Sequence, residues 1–99
     1  MHIVVSWDIS TPEPDWSRID KSLRDCFDPE FRWIRPLNTF YIIRIATESE
    51  RAAILTRLQA VAGSQAVTVH IVMSPAMVGG PYDGFLPRDW WVQINELTS

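Results

Sequence analysis

Residues 2–8 alternate between two faces, with Ile3, Val5 and Trp7 on one and His2, Val4, Ser6 and Asp8 on the other, the period-two pattern of a strand. The stretch "STPEP" at 10–14 stops it, because Pro12 and Pro14 fix their own φ and offer no ladder N–H. Beyond it Trp16, Ile19, Leu23 and Cys26 or Phe27 recur at helical spacing. Ser17, Arg18, Asp20, Lys21, Arg24 and Asp25 fall mostly on the opposite, solvent-facing side. This predicts an amphipathic helix ended by "DPE" at 28–30, since a residue that precedes proline is pushed out of the α region.

The stretch "FRWIRPLNTFYIIRI" at 31–45 reads as a hairpin with a tight turn at Leu37 and Asn38, and Pro36 requires that its strand lie at an edge or end there. "TESE" at 47–50 fits a capping box, the Thr47 hydroxyl accepting from the Glu50 backbone while Glu50 reaches back. The helix that follows has Ala53, Ile54, Leu58 and Val61 as its buried stripe and Gly63 as a left-handed stop. "AVTVHIVM" at 66–73 is the fourth strand, with Val67, Val69, Ile71 and Met73 against Thr68, His70 and Val72, and Pro75 ends it.

Strand, helix, strand, strand, helix, strand is the βαββαβ order of a ferredoxin-like α+β fold, in which two helices cover one face of a four-stranded antiparallel sheet. The other face, carrying Val4, Ser6, Thr68 and His70, needs a cover of its own. Residues 1–75 are expected to form the core and 76–99 a C-terminal extension of the same domain, packed on that core or on a second subunit. Within the extension "AMVGGPYDGFLP" reads as a loop, and "RDWWVQINEL" as a short helix offering Trp90, Trp91, Ile94 and Leu97. "GGPYDG" at 79–84 lacks the Lys, the Ser or Thr and the helix start of a nucleotide cradle, so it is read as a turn.

At 99 residues a chain of this kind buries roughly 65% of its unfolded surface, which makes a thin core. A 46% hydrophobic content with five tryptophans is high for so little interior, and a homodimer is the expected way to cover the surplus. The net charge of −3 argues against a broad phosphate-binding face, although local basic patches remain open. Eight arginines against the single Lys21 favour bidentate and stacked contacts, at an interface or a phosphate. One cysteine, Cys26, cannot staple the fold and reads as a small core residue. With no secretory h-region and no apolar run approaching about 18 residues, the expectation is a soluble cytoplasmic protein without a membrane partner.

Asp8 is the first candidate for chemistry. A strand-terminal Asp caps the following loop by accepting backbone N–H bonds, and Ser10 and Thr11 suit that role. Alternatively its carboxylate lies near a dimer twofold, where two copies share Mg²⁺ or Mn²⁺ that activates water for phosphodiester hydrolysis, with Ser6 and Ser10 orienting the site. One chain alone brings too few ligands for such an ion. His2 and His70 fall on the helix-free side and read first as half-buried packing residues. Arg32, Arg35 and Arg44, interleaved with Trp33 and other aromatic residues of the hairpin, suit either a nucleic-acid strand or a subunit interface.

The opening "IVVSWDIS" resembles the first strand of the small CRISPR-associated Cas2 proteins, which ends in an aromatic residue, Asp and an aliphatic. The hairpin "WIRPLNTFYII", the strand "AVTVHIV" and the closing "GFLPRDWW" look more like their divergent SinR-like relatives, and together the likeness spans nearly the whole chain. The resemblance implies a ferredoxin-like homodimer associated with RNA or DNA. It also implies a metal-dependent nuclease role in some members and a structural role in spacer acquisition in others. By that carry-over Asp8 from each subunit is the metal-binding, water-activating residue. The chain departs from the Cas2 pattern in lacking the Gln, Ser and Phe set of the hairpin and in its acidic balance. The expected function is therefore a Cas2-like homodimer acting on or with nucleic acid, as an Mg²⁺-dependent endoribonuclease if it is an enzyme. The alternative is a noncatalytic dimeric adaptor that binds a protein partner.

Overall fold

A computed structural model describes residues 1–65, 68–74 and 84–98. The element order is β1 (His2–Ile9), α1 (Asp15–Arg24), β2 (Trp33–Leu37), β3 (Phe40–Arg44), α2 (Glu48–Ser64), β4 (Val69–Ser74) and α3 (Arg88–Thr98). The four strands form one antiparallel sheet in the order β2-β3-β1-β4. This is the ferredoxin-like α+β arrangement that the sequence pattern implies, with a third helix added.

Alternation along the strands builds two separate cores. Ile3, Val5, Trp7 and Ile9 of β1, Tyr41 and Ile43 of β3 and Val69 of β4 meet Ile19 and Leu23 of α1 and Ile54 and Leu58 of α2. On the opposite face Val4 and Ile42 meet Ile94 and Leu97 of α3, with Ile34, Phe40, Leu86 and Trp91 packed around them. The C-terminal helix thus covers the second face over β2 and β3. Over β1 and β4 the same face carries half-buried Ser6, exposed Asp8 and His70, and Val72, which is 67% exposed. No helix among the described residues is long and apolar enough to cross a membrane.

Several local expectations hold. The capping box is present, Glu50 N–H donating to Thr47 Oγ1 at 3.2 Å while the Glu50 carboxylate accepts from the Thr47 backbone. Pro36 sits in β2 at the sheet edge, next to an irregularity in register between Ile34 and Leu37 that absorbs its missing N–H.

Others need correction. The hairpin turns at Asn38 and Thr39, one residue later than expected, because Leu37 still pairs with Phe40. The first helix stops at Arg24, and Cys26 and Phe27 reach the core from the turns that follow it. Gly63 is no left-handed stop. The helix runs through it to Ser64 and is capped at Gln65, with φ −98° and ψ 13°. The fourth strand starts at Val69, Thr68 lying outside it, and it runs on through Ser74. Val67, Pro75 and the stretch from Gly79 to Asp83 lie outside the described residues.

Asp20 is the largest departure. Helical spacing puts it with the solvent-facing set, yet it is 3% exposed. Its Oδ1 accepts from Trp7 Nε1 at 3.1 Å and from Tyr41 Oη at 3.2 Å. Its Oδ2 accepts from Arg24 Nε at 3.1 Å and from Arg35 Nη1 at 3.4 Å. A buried carboxylate is tolerable only when paired and fully hydrogen-bonded, and four donors meet that condition.

Candidate metal and nucleic-acid site

Asp8 lies one residue from the end of β1, and its register partner on β4 is His70. One step past that ladder, Ser10 N–H donates to the Thr68 carbonyl at 2.7 Å. Bonded pairs recur every second residue of an antiparallel ladder, so Asp8 and His70 form a pair of the same bonded kind, with Cα atoms about 5.5 Å apart. Both side chains stand on the face away from α1 and α2, and both are exposed. They line an open hollow of about 260 Å³ together with Ser6, Thr39 and Val72.

The Asp8 carboxylate is engaged by nothing among the described residues, and that sets it apart. Between residues 1 and 65 every other acidic side chain has a partner in the fold: Glu13 caps Ser17, Asp28 accepts from Trp33, and Glu50 closes the capping box. Asp15, Asp20, Asp25, Glu30 and Glu48 are each in an ion pair. The loop-capping alternative for Asp8 fails on the same geometry, because the Ser10 N–H is taken by Thr68. Ser6 is half-buried beside Asp8, whereas Ser10 is exposed beyond the strand end.

His2 is far from this pair. It is 4% exposed and six residues along β1 from Asp8, roughly 20 Å at strand rise. Burial, with the positive chain terminus next to it, pushes its pKa below the ordinary imidazole value. Cys26 is likewise buried, and burial raises its thiol pKa. His70 is therefore the exposed member of the chain's two histidines.

The four hairpin residues expected at nucleic acid are not brought together; they divide between the two faces. Trp33 packs against Phe27 and donates from Nε1 to Asp28 at 2.9 Å. Arg35 is tied to Asp20, donates to Tyr41 Oη at 3.1 Å and sits 5.7 Å from that ring's centroid. Arg32 and Arg44 belong to the α3 side, where Arg32 lies 3.9 Å from the Glu96 carboxylate and Arg44 donates to the Glu96 carbonyl at 3.5 Å. Both of these remain exposed.

A carboxylate next to an imidazole can bind a divalent cation, but among the described residues one chain supplies only this pair. No group of three or more His, Cys, Asp or Glu side chains able to hold a metal occurs among the described residues. The site is open, polar on one side and flanked by the exposed Val72. The pairing of Asp8 with His70 was not visible from spacing, since the two are 62 positions apart; only the order of strands in the sheet reveals it.

No family model matches the chain, and no curated protein matches it in sequence. Among solved structures, the crystal structure of Streptococcus pyogenes Cas2 at pH 6.5 superposes with a TM-score of 0.58 over 94% of this chain and 94% of that one. The two sequences are 17% identical across the superposition, so what they share is a fold, and the fold of this chain is Cas2-like.

Proposed function

We propose that this chain is a Cas2-like homodimeric protein acting on or alongside nucleic acid, with Asp8 of each protomer holding a divalent cation for phosphodiester cleavage. The observation that carries the reading is the exposed, unengaged Asp8 carboxylate at the end of β1, on the half of the sheet that α3 leaves open. The Cas2-like fold supports it, and so does Val72, an exposed apolar side chain beside the acid that a second copy would cover.

The residues fit Mg²⁺ or Mn²⁺ as half of a site. One carboxylate per chain with water completing the shell suits a hard cation, and twofold symmetry supplies the second carboxylate. An ion held there would supply a water of lowered pKa and stabilisation of charge on a phosphate. Asp8 would hold such an ion, and Ser6, which lines the same hollow, would be available to its water shell. Arg32 and Arg44, the hairpin arginines that stay exposed, are the residues available to phosphates.

The decisive experiment incubates labelled single-stranded RNA and duplex DNA with the protein in Mg²⁺ or EDTA, alongside Asp8→Asn. Cleavage that needs the metal and disappears in the variant is the expected result. Metal-independent cleavage, or cleavage untouched by Asp8→Asn, would overturn the reading.

A noncatalytic adaptor is the second reading. It is favoured by the engagement of Trp33 and Arg35 within the fold and by the net charge of −3. Absence of nucleic-acid binding at low salt, with the dimer intact, would select it.

A further inference from the structure

We propose that the sheet edge between β2 and α3 is a stacking site for one unpaired base of a single-stranded nucleic acid, with Trp90 as the platform and Arg32 as the phosphate anchor. The inference rests on the nucleic-acid reading above and adds a second site to it, two strands across the sheet from Asp8.

The placement of the tryptophans carries it. Of the five, Trp7 lies in the core under α1 and α2, Trp16 and Trp33 pack against that core, and Trp91 packs against the smaller core under α3. Trp90 joins neither core among the described residues. It is half-buried and lines a hollow of about 500 Å³ at the β2 edge. Small-molecule sites span about 300–1,000 Å³, so the hollow has room for a base. Because β2 is an edge strand, residues from both of its faces border this space, Trp33 and Arg35 from the α1 side and Ile34 from the α3 side.

The chemistry of the lining names the occupant. A free indole face stacks on any base, whereas a duplex hides the faces of its bases against one another. Asn38 and Gln93 each bring an exposed amide, donor and acceptor together, with no partner among the described residues. Arg35 commits Nη1 to Asp20 and Tyr41, which fixes its guanidinium and leaves Nε and Nη2 uncommitted among the described residues. Trp90, Gln93 and Glu96 recur every three residues along α3 and so follow one side of it, and Arg32 lies 3.9 Å from the Glu96 carboxylate. Arg32 therefore stands roughly 9 Å along the helix from Trp90. The Arg32–Glu96 pair is 61% and 62% exposed, so it adds little to the fold and a phosphate can take the guanidinium. An aromatic groove also suits a proline-rich peptide, but the two arginines favour an anionic strand.

Fluorescence anisotropy of the full chain, in EDTA and at low salt, tests this with short labelled RNA and DNA single strands, their duplexes and a strand carrying abasic sites. The variants are Trp90→Ala, Trp90→Phe, Gln93→Glu and Arg32→Gln, each checked by circular dichroism. The parent is expected to bind the intact single strand at least tenfold more tightly than the duplex or the abasic strand. Trp90→Ala should weaken the intact strand tenfold or more and leave the abasic strand within twofold, and Trp90→Phe should restore most of the loss. Gln93→Glu, at an exposed position, should weaken the intact strand by setting a like charge beside it. Arg32→Gln should lower both the affinity and the steepness of its salt dependence. Equal binding of intact and abasic strands, or single-strand affinity in Trp90→Ala within twofold of the parent, would overturn the inference. A proline-rich peptide that binds through Trp90 where the strand does not would overturn it too. Binding that depends on Trp90 without metal-dependent cleavage would sink the nuclease and leave the base site standing. Asp8-dependent cleavage with binding indifferent to position 90 would do the reverse.

Discussion

The indole N–H of Trp7 on β1 donates to Oδ1 of Asp20 on α1 across 3.1 Å, inside the core rather than at its rim. The same oxygen takes the phenol of Tyr41 from β3, whose ring stacks on Trp7 at a centroid distance of 4.2 Å. One carboxylate therefore ties two strands to a helix. Asp20→Ala leaves two buried donors without an acceptor, and the cost expected is about 3 kcal/mol. Urea unfolding followed by circular dichroism measures it; a loss below about 1 kcal/mol would show that water replaces the carboxylate. Arg24 and Arg35 contribute less, because both are partly exposed and regain solvent when the acid is removed.

Tyr41 should resist ionisation. Burial is the main cause that pushes its pKa up to about 12, and the nearby Asp20 charge adds to this against the opposing hydrogen bond and charge of Arg35. The folded value lies above the unfolded value of about 10, so the associated stability is fully present below pH 10. It is lost as pH rises toward 12. Absorbance at the phenolate band should show one of the chain's two tyrosines titrating late, a step absent from Tyr41→Phe. A Tyr41 that ionises near its ordinary value would refute the buried hydrogen-bonded geometry.

His2 bears on the acid side. Its pKa is lowered, chiefly by burial, so the folded state prefers the neutral ring. The unfolded chain then binds the proton first as pH falls below about 6.5, and stability declines from there until the folded-state ring is protonated too. Thermal unfolding between pH 7.5 and 5 should lose part of its slope in His2→Gln. An identical slope in the variant would assign the acid sensitivity elsewhere.

Gly63 offers a gain. It lies inside α2 and is exposed, and a β-carbon placed there meets nothing within 4 Å. Gly63→Ala should stabilise the protein by about 0.5–1 kcal/mol, through helix propensity and a less free unfolded chain. Destabilisation in urea would mean that the last turn needs the glycine after all.

Most of the fold was legible because two periods dominate the chain. The alternation at Ile3, Val5 and Trp7 and the Thr47 box with Glu50 are local signals that survive folding unchanged. Asp20 was misread because helical spacing assigns only an angle around an axis, and an acid at the border of the apolar stripe can turn either way. The hint lay in Trp7 and Tyr41, core-facing rings with polar ends that need a partner when buried. Gly63 and the turn at Asn38 and Thr39 slipped by a residue or two, since helix ends and hairpin registers depend on what neighbouring strands pair with. At the site, the exposure of Asp8 followed from alternation. Its match to His70 did not, because long-range register is a property of the sheet and not of either strand.

Trp7 and Asp8 are consecutive on a strand, and so they point in opposite directions. Sliding β1 by a single position would pull the indole off its acceptor and drive a carboxylate into hydrocarbon, so the bonding beneath the sheet fixes where the acid above it aims. The cohesion of the molecule and its candidate site are thereby written on opposite sides of one ribbon. Positions 8 and 70 are both exposed, so they can be rewritten at little expense to folding.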